Sequence, residues 1–422
     1  MTALAYWMPP LHLDRCARLA DGLAIALAVS LPWSTTATGI LVVLWLIALV
    51  PTLDPAALRR VLATPAGGLP VLLWALGVIG MLWAVDISMA ERLNGVRSFH
   101  RLLVIPLLIV QFQRSDRGAW VLKGFVWSCV AMLALSWLLL WKPGIPLPFR
   151  TAFQGTPGIV VKDYIAQGAE FTVCIFLLLG VAIEVWRRQR HAFAVLLVVL
   201  AAIFLANVLH VSPSRAPFAV IPALVLLFAI RGLPWQKAGA IFILAFVILG
   251  GLAWSVPMAR YNLNEMVAEA SSFRPDGERT RVGERLEYWR KSVGFIADAP
   301  VIGHGTGSIN DRFRRSAAGE TGMAALASTN PHNQTLAVAI QLGFLGTAVL
   351  WAMWFAHALI FFRGEGMAAW AGLTVAVHNI VSSLFNSFLF DFTSGWGYVI
   401  GVGVAAGFLL RQERVPPQAA QR

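Results

Sequence analysis

Residues 258–334 read MARYNLNEMVAEASSFRPDGERTRVGERLEYWRKSVGFIADAPVIGHGTGSINDRFRRSAAGETGMAALASTNPHNQ, a polar run of 77 residues between two strongly apolar blocks. The run holds 10 of the 33 Lys+Arg and 9 of the 21 Asp+Glu, so it is densely charged and nearly neutral. It ends in Asn330-Pro331-His332-Asn333, where a histidine and two amides stand at the edge of an apolar stretch. The chain therefore divides into a membrane region over 1–257, a polar loop over 258–334, and a second membrane region with a short tail over 335–422.

Outside that loop the composition is that of a lipid-embedded chain. Hydrophobic residues make up 58% and charged residues 13%, with a mean hydropathy of +0.71, which excludes an ordinary soluble globule. Apolar stretches near 20–34, 37–53, 69–84, 102–113, 124–141, 168–186, 192–210, 216–230, 238–256, 335–362, 368–388 and 395–411 suit helices crossing ~30 Å of hydrocarbon. The fold class expected is an all-α polytopic membrane protein with about twelve transmembrane helices and one large, partly helical periplasmic loop. The 102–113 stretch is too short to cross alone and must recruit residues before Arg101. Segments on one face carry 16 Lys+Arg and short segments on the other carry 7, Arg150 and Lys162 among them. The positive-inside rule puts the richer face in the cytoplasm and the long loop outside, in the periplasm if the membrane is a bacterial inner one. A net charge of +12 is then cytoplasmic loop charge and not a nucleic-acid footprint. Cys16, Cys129 and Cys174 show no metal-ligand spacing, and neither zinc nor a disulfide is expected. Arg15 and Arg18 resemble a signal peptide's basic end, but with so many spans following, an uncleaved first helix is expected.

Four places could carry chemistry. Arg215 lies in Ser212-Pro213-Ser214-Arg215-Ala216-Pro217, where two prolines forbid a continuous helix. It either snorkels to lipid headgroups or clamps an anion with its planar fork. In Gly283 to Arg290, Arg281, Arg285 and Trp289 share one helical face. That helix either pairs Glu with Arg in water or lies on the membrane and presents an arginine to it. Pro300 to Gly307 holds three alternating glycines, but without a preceding strand or a following Lys-Ser/Thr it reads as a tight turn returning the chain to the membrane. His332, set by Pro331 between Asn330 and Asn333, is a structural histidine or a proton acceptor at neutral pH. His357 and His378 lie inside apolar stretches and suit helix–helix hydrogen bonding. No Asp-x-Asp, His-x-x-Glu or paired-His spacing supports a metal, and no cofactor is expected.

At these residues the chain resembles the O-antigen ligase/polymerase superfamily of bacterial envelope glycosyltransferases. The resemblance rests on Ser212-x-Ser214-Arg215, Gly283-x-Arg285-x-x-x-Trp289, Pro300-x-x-Gly303-x-Gly305, and His332-Asn333 followed by Leu336 and Gly343-x-x-Gly346. It implies a metal-independent, inverting enzyme that moves a glycan from undecaprenyl diphosphate, most like the O-antigen ligase that uses lipid A–core oligosaccharide as acceptor. It further implies that Arg215 and Arg285 bind the diphosphate and that His332 is the essential histidine. Lys162 is either a third cation beside the diphosphate or an interfacial lysine. Gln341 stands where many relatives carry an acidic residue and receives no role. An O-antigen polymerase or a protein O-oligosaccharyltransferase would use the same donor. A twelve-span transporter is the rival of a different class, and it predicts related halves and ionisable residues at the midplane, which the single asymmetric loop does not suggest.

Overall fold

The computed structural model describes residues 10–146 and 156–414, and within them every regular element is a helix. Arg150 and the tail beyond Arg414 lie outside the described residues. Each of the twelve apolar stretches falls wholly or largely on a helix, yet among the described residues only eight helices are long and apolar enough to cross a membrane. The count becomes nine if Met89–Arg97 and His100–Phe112, bent by 41° at their junction, form one broken span. The shortfall has local causes. Pro10–Ser30 carries Asp14, Arg15, Arg18 and Asp21 within its length. Pro217–Gly232 has 16 residues, about 24 Å of helix against ~30 Å of hydrocarbon. Gly366–Ser382 has 17 and stops short of the stretch read from the sequence, because residues 383–391 leave the helix and form turns. The arrangement is that of a polytopic all-α membrane protein.

Helices in lipid have no solvent difference to drive them together, so packing and a few polar links do that work. Two apolar cores run through the bundle, one around Trp45, Phe112, Trp354 and Phe361, the other around Phe171, Phe176 and Phe204. Within the first, His357 bonds the Tyr398 hydroxyl at 2.6 Å and the Ala66 carbonyl at 2.8 Å, the interhelical role expected of it. His378 makes no hydrogen bond among the described residues and meets Phe388 edge-on.

The polar loop is largely helical. Pro257–Ser271, Arg281–Asp298 and Ser308–Ala317 follow in turn. Thr280 caps the second by accepting from the Gly283 N–H at 3.0 Å. A small core of its own, Tyr288, Ile309 and Phe313 against Ala337 and Ile340, seats these helices on the first turns of Gln334–Arg363.

What fastens the loop is a backbone clip. Gln334–Arg363 breaks at Gly343, whose φ of 61° and ψ of −155° lie in a region essentially reserved for glycine. A break at this depth frees backbone groups that lipid cannot satisfy. The Pro300–Gly307 turn takes them. Its His304 and Gly305 N–H groups donate to the carbonyls of Ile340 and Gln341, both at 2.9 Å, and its Pro300 and Val301 carbonyls accept from Phe344 (2.7 Å) and Leu345 (3.1 Å). The tight turn read from the sequence is therefore a plug for a broken helix. Gly303 must be glycine for the same reason, since a Cβ there would stand 2.5 Å from the Gln341 carbonyl carbon.

A Gly343→Ala chain would place its Cβ 2.4 Å from the Val301 carbonyl carbon in addition to the backbone strain, together costing about 2–3 kcal/mol. We expect a melting temperature lower by several degrees and faster trypsin cleavage at Arg312, Arg314 and Arg315 in the loop. Unchanged melting and cleavage would mean that the clip does not hold the loop.

Candidate active site

Three of the residues singled out by sequence meet at one end of the bundle. Arg215 sits in the short link between the His191–His210 and Pro217–Gly232 helices, with Pro217 at the first turn of the second. Its guanidinium forks onto Glu269 from the first loop helix, Nη2 to Oε1 at 3.0 Å and Nη1 to Oε2 at 3.4 Å. Its Nε–H is buried with no partner among the described residues. Glu269 also accepts from the Val282 N–H at 2.7 Å and so ties the first loop helix to the second. Burial pushes the Glu269 carboxyl up, but the Arg215 hydrogen bond, the Val282 N–H and the Arg281 charge outweigh it and hold the group below its ordinary value.

Arg281 and Arg285 line the same cleft as Arg215, together with Tyr164 and Asn386. This is the shared helical face read from the sequence. Arg285 has no hydrogen bond or ion pair among the described residues. Burial, and then the like charges of Arg215 and Arg281, lower its pKa, with Tyr164 and Glu269 opposing them. Three guanidiniums against one carboxylate leave a net positive cleft, which is the electrostatic condition for an anion site. Lys162 is not among the residues lining it. Its ammonium donates to the Leu31 carbonyl and to Thr393 Oγ1. Burial lowers its pKa, while the Glu170, Asp391 and Asp163 carboxylates raise it.

His332 stands at the loop–helix junction with φ at 53°, left-handed backbone that a side-chain-bearing residue adopts only when held there. Several bonds hold it. The His332 N–H donates to Asn330 Oδ1 at 2.9 Å. Asn333 caps the next helix through the Leu336 N–H at 3.1 Å. The Gln334 N–H donates to the Ser383 carbonyl at 2.8 Å. The imidazole stacks on Tyr288, centroids 5.9 Å apart and planes 21° apart.

The ring's tautomer follows from obligate donors. The Ser387 backbone N–H donates to Asn386 Oδ1 at 2.9 Å, so that atom is the amide's oxygen. Asn330 Nδ2 reaches it at 3.1 Å and His332 Nδ1 at 3.0 Å. An acceptor at Nδ1 means the proton is on Nδ1, and Nε2 carries the bare lone pair. Burial and the Arg285 charge both hold the imidazole below its ordinary pKa of 6.5, against the Asn386 bond and Glu284. At pH 7 it is a neutral ring ready to accept a proton at Nε2.

Asn386 escaped the sequence reading because it falls inside the stretch read as a span over 368–388. The polar run Asn386-Ser387 within it was the available signal. The turn that carries it is anchored by Arg101, whose guanidinium donates to the carbonyls of Phe390, Asp391 and Phe392. Gln341, left without a role above, accepts from the Gly307 N–H at 2.8 Å and braces the clip. Among the described residues, no group of three or more His, Cys, Asp or Glu side chains is placed to hold a metal ion.

Residues 200–351 match the family model described as O-antigen ligase. That match spans 152 of the 422 residues and supports membership of the O-antigen ligase/polymerase superfamily. The matched stretch holds Arg215, Arg281, Arg285, the clip and His332, and it stops short of Asn386. No curated protein matches the chain. The matched domain and the helical bundle together support a membrane glycosyltransferase of the O-antigen ligase/polymerase type.

The lowered His332 pKa gives a signed expectation. Acylation of His332 by diethyl pyrocarbonate, followed on its peptide by mass spectrometry, requires the neutral ring and should be half-maximal below pH 6.5. Removing the neighbouring cation in Arg285→Ala should move that midpoint up. Asn386→Asp, which puts an anion on Nδ1–H, should raise it by about one unit. A midpoint indifferent to both changes would refute this environment for His332.

Proposed function

We propose that this chain transfers O-antigen glycan from undecaprenyl diphosphate to lipid A–core oligosaccharide, on the periplasmic face of the bacterial inner membrane. The observation that carries the proposal is the meeting of three arginines in one cleft that Asn386 also lines, with a neutral histidine bonded to that Asn386, all inside or beside the stretch that matches O-antigen ligase. The proposed topology is twelve spans, the short and bent helices included, with the 258–334 loop outside.

A sugar diphosphate already carries its leaving group, so the protein has three tasks. It holds the anomeric carbon, stabilises the charge growing on the diphosphate, and takes one proton. In the proposed step the acceptor's hydroxyl oxygen attacks the anomeric carbon and inverts it. The anomeric C–O bond breaks and its electron pair leaves with the diphosphate. The hydroxyl proton goes to His332 Nε2. Arg215 and Arg285 face the departing oxygens, and Arg281 is the further cation on that wall. Glu269 orients the Arg215 fork before substrate arrives, so a diphosphate must share that fork or displace the carboxylate. The transporter alternative would set a substrate against the break at Gly343. That break is filled by the loop's own turn.

Introduced into cells lacking their ligase, the gene should restore long-chain lipopolysaccharide. Glycan that lengthens while still on undecaprenyl diphosphate would instead mark a polymerase. Arg215→Ala and Arg285→Ala should each lower transfer by ~10²–10³, with lysine a poor substitute because it lacks the fork. His332→Ala should lose ~10²–10⁴ yet still bind the lipid diphosphate, and a near wild-type rate there would remove the base from the mechanism. The topology is checked separately. A reporter active only outside the cytoplasm should light up at Gly319 and stay dark after Gly364, and the opposite pattern would invert the assignment.

A further inference from the structure

A second cleft meets the arginine cleft at Asn386. It encloses about 330 Å³, at the lower end of the ~300–1,000 Å³ usual for small-molecule sites. Its floor is the Asn330–Asn386–Ser387 hydrogen-bond group that holds His332. Its walls are Glu91 and Asn94 from the Met89–Arg97 helix, Asn310 from the loop and Asp391 from the last turn. Among the described residues, no lysine, arginine or histidine lines it. We propose that this cleft is a saccharide subsite, and that its occupant is the acceptor glycan.

The two clefts have opposite chemistry across one side chain. The arginine cleft attracts a diphosphate, whereas Glu91 and Asp391 repel one, so the same phosphate cannot sit indifferently in either. What carboxylates and amides recognise is a hydroxyl-rich, phosphate-free surface. A carboxylate accepts several hydrogen bonds, and an amide both donates and accepts, as vicinal hydroxyls require. Glu91 is held for that use, accepting from Ser88 Oγ at 3.0 Å and from Asn310 Nδ2 at 3.2 Å. Those two bonds leave lone pairs on its carboxylate unused. Asn94 and Ser98 lie on the same helical stripe, line the cleft, and make no side-chain hydrogen bond among the described residues. They are polar groups with nothing in the protein to serve.

The identity of the saccharide rests on the glycan-transfer reading above, though the cleft itself does not. In a direct displacement the attacking oxygen approaches opposite the departing diphosphate. With the diphosphate among the arginines, the side beyond Asn386 is the acceptor's. The donor's first sugar is the other source of the same chemistry, and the two can be separated.

The test uses the full-length protein in lipid nanodiscs and the double variant Asn94→Leu Ser98→Leu, which fills the cleft from an exposed position and a half-buried one. Transfer is measured with donor and acceptor varied separately. Binding of a deacylated lipid A–core oligosaccharide is measured without donor. We expect the acceptor KM and the oligosaccharide Kd each to rise by about tenfold or more, as for one or two lost hydrogen bonds, with the donor KM unchanged. Arg215→Ala should bind the oligosaccharide as wild type does. A rise in donor KM alone would assign the cleft to the donor's sugar. A double variant that is folded and keeps both KM values and the oligosaccharide affinity would overturn the subsite. A wild-type protein that binds the oligosaccharide through Asn94 and Ser98 but transfers nothing would refute the transferase reading and leave the subsite standing. Absence of both binding and transfer would remove both.

Discussion

The structure depends on a helix that stops being a helix for one residue. At Gly343 the backbone leaves the α region and exposes carbonyls and N–H groups where lipid offers no partner. The Pro300–Gly307 turn supplies the missing partners, bonding Ile340, Gln341, Phe344 and Leu345 through its own backbone. Each such bond is worth only ~1 kcal/mol net, but an unmade one costs more than a made one contributes. The consequence is a loop bound to the bundle by main chain. Side-chain changes elsewhere in the loop leave that attachment in place.

Because the loop is clipped there, its helices arrive at the membrane edge in a fixed order. Phe313, fully buried, meets Tyr288 and Phe295 edge-on. Tyr288 in turn lies against the His332 ring. One helix thus presents Arg281, Arg285 and the Tyr288 that supports the histidine along one side, at i, i+4 and i+7. Glu269 draws the first loop helix to Arg215 and completes the cleft from a third element. A cation-lined cleft and an acid- and amide-lined cleft then share Asn386, and this side chain also sets the histidine's tautomer. The proposed transfer needs that separation, since the leaving diphosphate and the attacking hydroxyl must occupy different chemical surroundings.

Below the site the bundle is tied by a few buried polar links. Gln111 donates to Asp21 at 2.8 Å and accepts from Trp45 at 2.8 Å. Arg231 donates to the carbonyls of Phe361 and Gly364. Such links matter more for register than for bulk stability, because unfolded helices in lipid also find partners. They keep the helix ends level, and the site is built where helix ends meet.

Much was determined by sequence alone. Apolar length fixes helical secondary structure in lipid, because no other open arrangement satisfies the backbone. All twelve stretches are accordingly helical over most of their length. Proline on both sides of Arg215 dictates a break there, and the i, i+4 spacing of Arg281 and Arg285 dictates a common face. Pro331 between amides marks His332 at a junction. These are local constraints, and local constraints are legible one residue at a time. Tertiary structure decided the rest. It ended one stretch at Ser382, so that Asn386 became a turn residue, and it turned the Lys162 ammonium to Leu31 and Thr393. It gave Gln341 a backbone partner 34 residues away in the chain. The physical reason is the same in each case. A polar group in a nearly dry environment takes whichever partner the fold brings within 3 Å, and spacing along the chain does not say which partner that will be.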